Sequence, residues 1–126
     1  MRRPGSLVEI TTLANTPKEF GYAVAEFLDQ FYIDPGAEKL TLEPPILRER
    51  LKDNGEADSY LAAVAVHLSR RIGESPPRWT YDRKRFLSRP WFASAGSSLR
   101  ATLLLESPAA FRERNLFVSA NALDRA

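Results

Sequence analysis

The residue types best suited to chemistry are concentrated between Arg78 and Phe92, where the run Arg78-Trp79-Thr80-Tyr81-Asp82-Arg83-Lys84-Arg85-Phe86-Leu87-Ser88-Arg89-Pro90-Trp91-Phe92 interleaves cations with large aromatics. Guanidinium groups beside Trp and Tyr can hold phosphates while the rings stack on bases, as on a single-strand-binding surface. The same residue types are the commonest hot spots of protein interfaces. A third account makes the aromatics part of a small core and the cations a solvated face. The candidate partner-binding residues are Trp79, Tyr81, Arg83, Arg85, Arg89 and Trp91. A short helix over 82–88 would place Arg83, Arg85 and Arg89 along a shared edge. A net charge of +2 is low for a nucleic-acid binder, which ranks a protein partner above nucleic acid.

Other constellations are weaker. The single histidine, His67, has Ala63, Val64, Arg70 and Arg71 at its helical neighbour positions and no carboxylate, so it reads as a boundary histidine rather than a base or metal ligand. Asp53, Glu56 and Asp58 straddle a glycine turn and open a helix, where the dipole favours negative charge, so capping accounts for them. The Gly-Ser passage around Gly96 lacks the Lys-Ser/Thr ending of a phosphate loop, and its serines have no histidine downstream. With no cysteine in the chain, thiolate metal sites, disulfides and cysteine nucleophiles are absent. The expectation is a protein without catalytic residues, metal or cofactor, and not an enzyme by itself. A subunit that completes another chain's site is a further reading.

A length of 126 residues fits one domain, which buries roughly two-thirds of its unfolded surface on folding. Apolar residues at 44% and charged residues at 27% are ordinary globular values, far from a disordered composition. Charge is uneven: residues 1–63 carry 7 basic and 11 acidic side chains, residues 64–126 carry 11 and 5, and ten of those eleven cations are Arg. One helical domain over 1–126 is expected, with an acidic half over 1–73 and a basic aromatic half over 74–126. An acidic partner surface or nucleic acid suits the second half. The basic start Met1-Arg2-Arg3 runs into Leu7-Val8-Glu9 rather than a signal-peptide core, and Tyr60 to Leu68 is too short for the ~20 residues of a membrane span. Cytoplasmic localisation and no membrane contact follow as expectations.

Helices must position these groups. Thr16-Pro17-Lys18-Glu19 is a capping box with proline at the first helical position. Phe20, Ala23, Val24, Phe27, Leu28 and Phe31 then recur at helical spacing up to about Tyr32. Ser6 to Glu9 forms a second box for a short helix carrying Leu7, Ile10 and Leu13, although Thr11-Thr12 leans towards a strand. Ile46, Leu47 and Leu51 face inward from a modest helix after Pro44-Pro45. The second long helix spans about 56–72, with Tyr60, Leu61, Val64, Leu68 and Ile72 as its stripe, alanines for close approach and Gly73 as its cap. A flexible start over 94–98 leads to a helix with Leu99, Leu103 and Leu104, and Ser107-Pro108 opens the next, capped at Asn115. Leu116-Phe117-Val118 is extended, followed by a final turn at Ser119. The fold class is an all-α compact bundle of five to seven short helices around a single core.

Taken together, Tyr60 to Leu68, Trp79, Arg85-Phe86-Leu87, Arg89-Pro90-Trp91-Phe92, Ser98-Leu99-Arg100, Glu106 to Arg112 and Arg114 to Val118 resemble small bacterial antitoxin-like proteins over about half the chain. The resemblance implies a protein that neutralises a nucleotidyltransferase-type toxin encoded nearby. It transfers no site residue by position. Members of that group often carry a helix-turn-helix head, and the first 59 residues here show no tri-helical reader and are net acidic. The expected function is therefore a protein-interaction module of antitoxin type, with a nucleic-acid-binding accessory protein as the alternative. Oligomeric state is left open.

Overall fold

Ser6 and Thr16 each start a helix in the way their spacing from a glutamate predicts. In the computed structural model, which describes residues 3–93 and 96–125 with the side chains of Ser97 and Ser98 excepted, Ser6 Oγ accepts from the Glu9 amide at 3.2 Å and α1 runs Leu7–Leu13. The β-branched Thr11 and Thr12 are accommodated because each hydroxyl donates back to a carbonyl three residues earlier. Thr16 Oγ1 accepts from the Glu19 amide at 3.1 Å to start α2, Pro17–Ile33. The Glu19 carboxylate reaches back to the Asn15 amide, one residue earlier than a standard box. All six apolar residues expected on the inner face of α2 are buried.

Two single-turn helices follow, α3 at Glu38–Thr41 and α4 at Arg48–Leu51. Ile46 departs from its expected inward position. It precedes α4 and is exposed, whereas Leu47 and Leu51 are buried. Likewise Leu7 and Ile10 are buried in α1 while Leu13, at its end, is exposed.

Helix α5, Glu56–Arg71, forms the centre of the fold. Leu61 to Val66 are fully buried on every side, beyond the single stripe read from the sequence. A helix apolar around its whole circumference belongs inside. The alanines at 62, 63 and 65 within that buried stretch let neighbouring elements approach closely. Gly73 takes φ +75°, the left-handed conformation expected after the helix end.

Beyond Gly73 the chain forms two 3₁₀ turns, Arg78–Tyr81 and Arg83–Arg85, then strand β1 at Trp91–Phe92, α6 at Ser97–Glu106, α7 at Ala109–Arg112 and strand β2 at Leu116–Phe117. The strands pair in parallel, Trp91 opposite Leu116 and Phe92 opposite Phe117. Asn115 holds φ +63°, ending the α7 turn as expected, and its side-chain amide donates to the Leu87 carbonyl at 2.8 Å. The Ser107 hydroxyl accepts the Val118 amide at 2.8 Å and lies within donating distance of the Leu103 and Val118 carbonyls, joining α6 to the segment after β2.

Among the described residues the fold is thus an all-α bundle of seven helices with one very small sheet. One core runs from Leu7 to Leu123 through both the acidic and basic parts of the chain. Of the sequence features read above, Met1, Arg2, Ser94 and Ala95 lie outside the described residues.

Candidate partner-binding site

The basic aromatic segment is held in place by two buried arginines, and this corrects the reading of Arg85 as a surface contact. Arg85 is 0% exposed. Its Nη2 donates to the Pro44 carbonyl at 2.6 Å and to Glu43 Oε2 at 3.1 Å, while Nη1 lies 3.8 Å from Asp58 Oδ1. The guanidinium also covers the Trp79 ring at 4.8 Å, and the indole Nε1 donates to the Leu40 carbonyl at 3.3 Å. Arg85 is an internal strut rather than a partner contact, and Trp79 is half-buried against it.

No helix forms over 82–88. The Asp82 carboxylate accepts the Lys84 amide at 2.9 Å and closes a 3₁₀ turn, so Arg83, Arg85 and Arg89 share no helical edge. Arg114, also buried, donates to the Ala110 and Thr80 carbonyls and packs on Phe86 at 4.4 Å and Tyr81 at 5.8 Å. Nothing local marked Arg114 or Arg85 as internal, because their partners stand up to 42 residues away.

Asp58 lies in the first turn of α5, as its place after the glycine turn predicts, and the structure adds a further role: buried, it accepts the Leu47 amide at 2.7 Å at the start of α4 and faces Arg85. Burial raises its pKa, opposed by the Leu47 hydrogen bond and the Arg85 charge. Asp53 and Glu56 do serve the helix start, since Asp53 accepts from Gly55 and Ala57 amides and Glu56 from the Asn54 amide.

Four predicted contacts remain on the surface: Tyr81 at 54% exposure, Arg83, Arg89, and Trp91 at 36%. Trp91 and Arg89 border cavities, and Trp91 borders two. Its backbone is fixed by β1, with the Trp91 amide donating to Asn115 at 2.8 Å. The indole borders a groove of about 450 Å³ whose apolar walls include Phe20, Val24, Leu51, Tyr60 and Leu116. On its other side lies a polar cleft of about 370 Å³ bordered by Arg48, Ser88 and Arg89. Glu56 and Trp91 belong to both. The Arg48 and Arg89 guanidiniums have no hydrogen-bond or ion-pair partner among the described residues.

Helix α6 adds exposed apolar surface. Of the three leucines read along it only Leu103 is buried, while Leu99, Leu104 and Leu105 face outward, the last at 84% exposure. Leu105 lay outside the set singled out from the sequence.

His67 is half-buried on α5 beside Arg70 and Arg71, as its neighbours in sequence predict. Burial lowers its pKa most, and Arg71 and Arg70 lower it further against the opposing pull of Asp124. The folded state therefore resists a proton that the unfolded chain accepts near pH 6.5, so this contribution to stability is present above that pH and lost as the pH falls. Urea midpoints should decline between about pH 7.5 and about pH 5, with His67→Gln flattening the decline. An identical pH profile in that variant would assign the decline to other groups.

Among the described residues, no group of three or more His, Asp or Glu could hold a metal ion, and no helix is long and apolar enough to cross a membrane. No family model, curated protein or solved structure matches the chain.

Proposed function

We propose that the protein acts through protein contacts, as an antitoxin-like inhibitor of a nucleotidyltransferase-type toxin encoded beside it, in a bacterial cytoplasm and without catalysis of its own. The partner class comes from the resemblance of residues 60–118. The observation that carries the contact reading is Trp91, held rigidly and one-third exposed between an apolar groove and two unpaired arginines. A fixed aromatic beside guanidinium groups is the usual make-up of an interface hot spot. The outward leucines of α6 add apolar area of the kind that monomers seldom leave uncovered.

Titration against the adjacent gene product tests this reading. Trp91→Ala is expected to weaken binding by about 2 kcal/mol, a loss of roughly 30-fold. Arg89→Ala and Arg83→Ala should weaken it less and leave the melting temperature unchanged, because both side chains are exposed. Binding that is absent, or indifferent to all three changes, would refute the proposal. Arginine-rich exposure also supports a second reading, a nucleic-acid-binding accessory protein. That reading gains if a single-stranded oligonucleotide binds with an affinity that falls steeply with salt.

A further inference from the structure

Helix α2 contains a glycine that its own stability disfavours. Gly21 lies in the interior of a 17-residue helix, where glycine costs about 0.5–1 kcal/mol relative to alanine. No close packing requires it, since a Cβ built there meets nothing within 4 Å. Gly21 lines the apolar groove below Trp91. With no side chain there, that stretch of the groove wall is bare backbone, which helix formation alone does not explain.

We infer that this groove receives a short segment of a protein partner in which a large aliphatic or aromatic side chain stands next to an Asp or Glu. The inference rests on the protein-contact reading and specifies what the site accepts. Phe20, Val24, Tyr60 and Leu116 present apolar surface, so a Leu or Phe side chain enters without losing hydrogen bonds. A nucleobase would leave ring nitrogens and exocyclic groups unpaired against the same walls.

The adjoining cleft supplies the charge. Among the described residues neither Arg48 nor Arg89 is paired with a carboxylate, although Glu56 borders the same cleft, and an incoming carboxylate can accept from a guanidinium fork in two parallel bonds. The acidic residues nearby are engaged at the start of α5: Asp53 takes the Gly55 amide at 2.8 Å and the Ala57 amide at 3.1 Å, and Glu56 takes the Asn54 amide at 2.5 Å. Trp91 separates the two compartments, so one segment can fill both only if its apolar and acidic side chains are neighbours. The site is preorganised, because the Trp91 and Ala93 amides donate to Asn115 and Phe117 at 2.8 and 3.0 Å.

The test is selection of a random 12-residue peptide library on the full-length chain, followed by calorimetric titration of the enriched peptides. Enriched sequences should pair a large apolar residue with a neighbouring Asp or Glu. Gly21→Leu, which adds a side chain to that wall, should abolish their binding while melting no lower than the parent. Arg48→Ala with Arg89→Ala should weaken the acidic peptide at least about 10-fold yet barely change its Glu→Gln version, the signature of a direct pair. The inference is overturned if nothing is enriched, if the enriched peptides lack acidic residues, if Gly21→Leu binds them normally, or if an oligonucleotide displaces them. Peptide binding without toxin binding would remove the antitoxin reading and leave the groove intact. Toxin binding unaffected by Gly21→Leu would do the reverse.

Discussion

Arg85→Ala is expected to destabilise the fold by about 3–5 kcal/mol, the range for breaking a buried ion pair by removing one partner. The large effect follows from what is left behind. Asp58, itself buried, would keep a carboxylate with the Leu47 and Arg48 amides but no guanidinium beside it, and the Pro44 carbonyl would lose its 2.6 Å donor. The Trp79 ring would also lose the guanidinium that covers it. For a chain of this size the melting temperature should fall by roughly 10–20 °C. Arg83→Ala, two residues away on an exposed turn, should shift stability by no more than about 0.5 kcal/mol. The contrast between neighbouring arginines separates a strut from a solvated cation. Equal melting temperatures for the two variants would mean that Arg85 does not hold the 43–47 loop against α5.

Phe111→Ala is expected to cost a similar amount, about 3–5 kcal/mol, through a different mechanism. Phe111 is fully buried in α7 and meets the Tyr60 ring edge-on at 5.0 Å; Tyr60 in turn meets Phe20 at 6.2 Å. This row of three rings joins α2, α5 and α7, so truncating its last member opens a cavity at a junction of three helices. Because Tyr60 also lines the groove, the same change should loosen the site. Urea midpoints give the comparison, with Leu105→Ala as a control at a fully outward position of α6 expected to change little. A Phe111→Ala midpoint equal to that of Leu105→Ala would show that the row contributes no packing.

The aromatic row and the two buried arginines explain how a segment with little regular structure keeps a defined shape. Residues 78–92 contain two 3₁₀ turns and two residues of strand, and such short elements have little stability alone. Arg85 ties the segment to the loop before α4 and to α5, and Arg114 ties it to α7. These internal bonds leave Tyr81, Arg83, Arg89 and Trp91 displayed on a fixed frame. Within this segment Arg85 belongs to the core, and the exposed residues are those on which the proposed interface rests.

The long helices and their apolar stripes are legible in the sequence, as are the capped starts of α1 and α2. Those properties are local: a hydroxyl three residues before a carboxylate caps a helix, and a 3.6-residue repeat turns apolar positions to one side whatever lies opposite. Phe20 to Phe31 and the Leu61, Val64 and Leu68 stripe follow from that rule, and Gly73 and Asn115 take the positive φ expected after a helix end. Only the packed structure shows which arginines are buried, that Asp58 pairs across 27 residues, and that Trp91 lies opposite Leu116 beside a groove that Gly21 also lines. An arginine carries the same local signal on a surface as in an interior. Its burial is set by whether carbonyls and carboxylates distant in the chain converge on it, and that convergence exists only once the helices have packed.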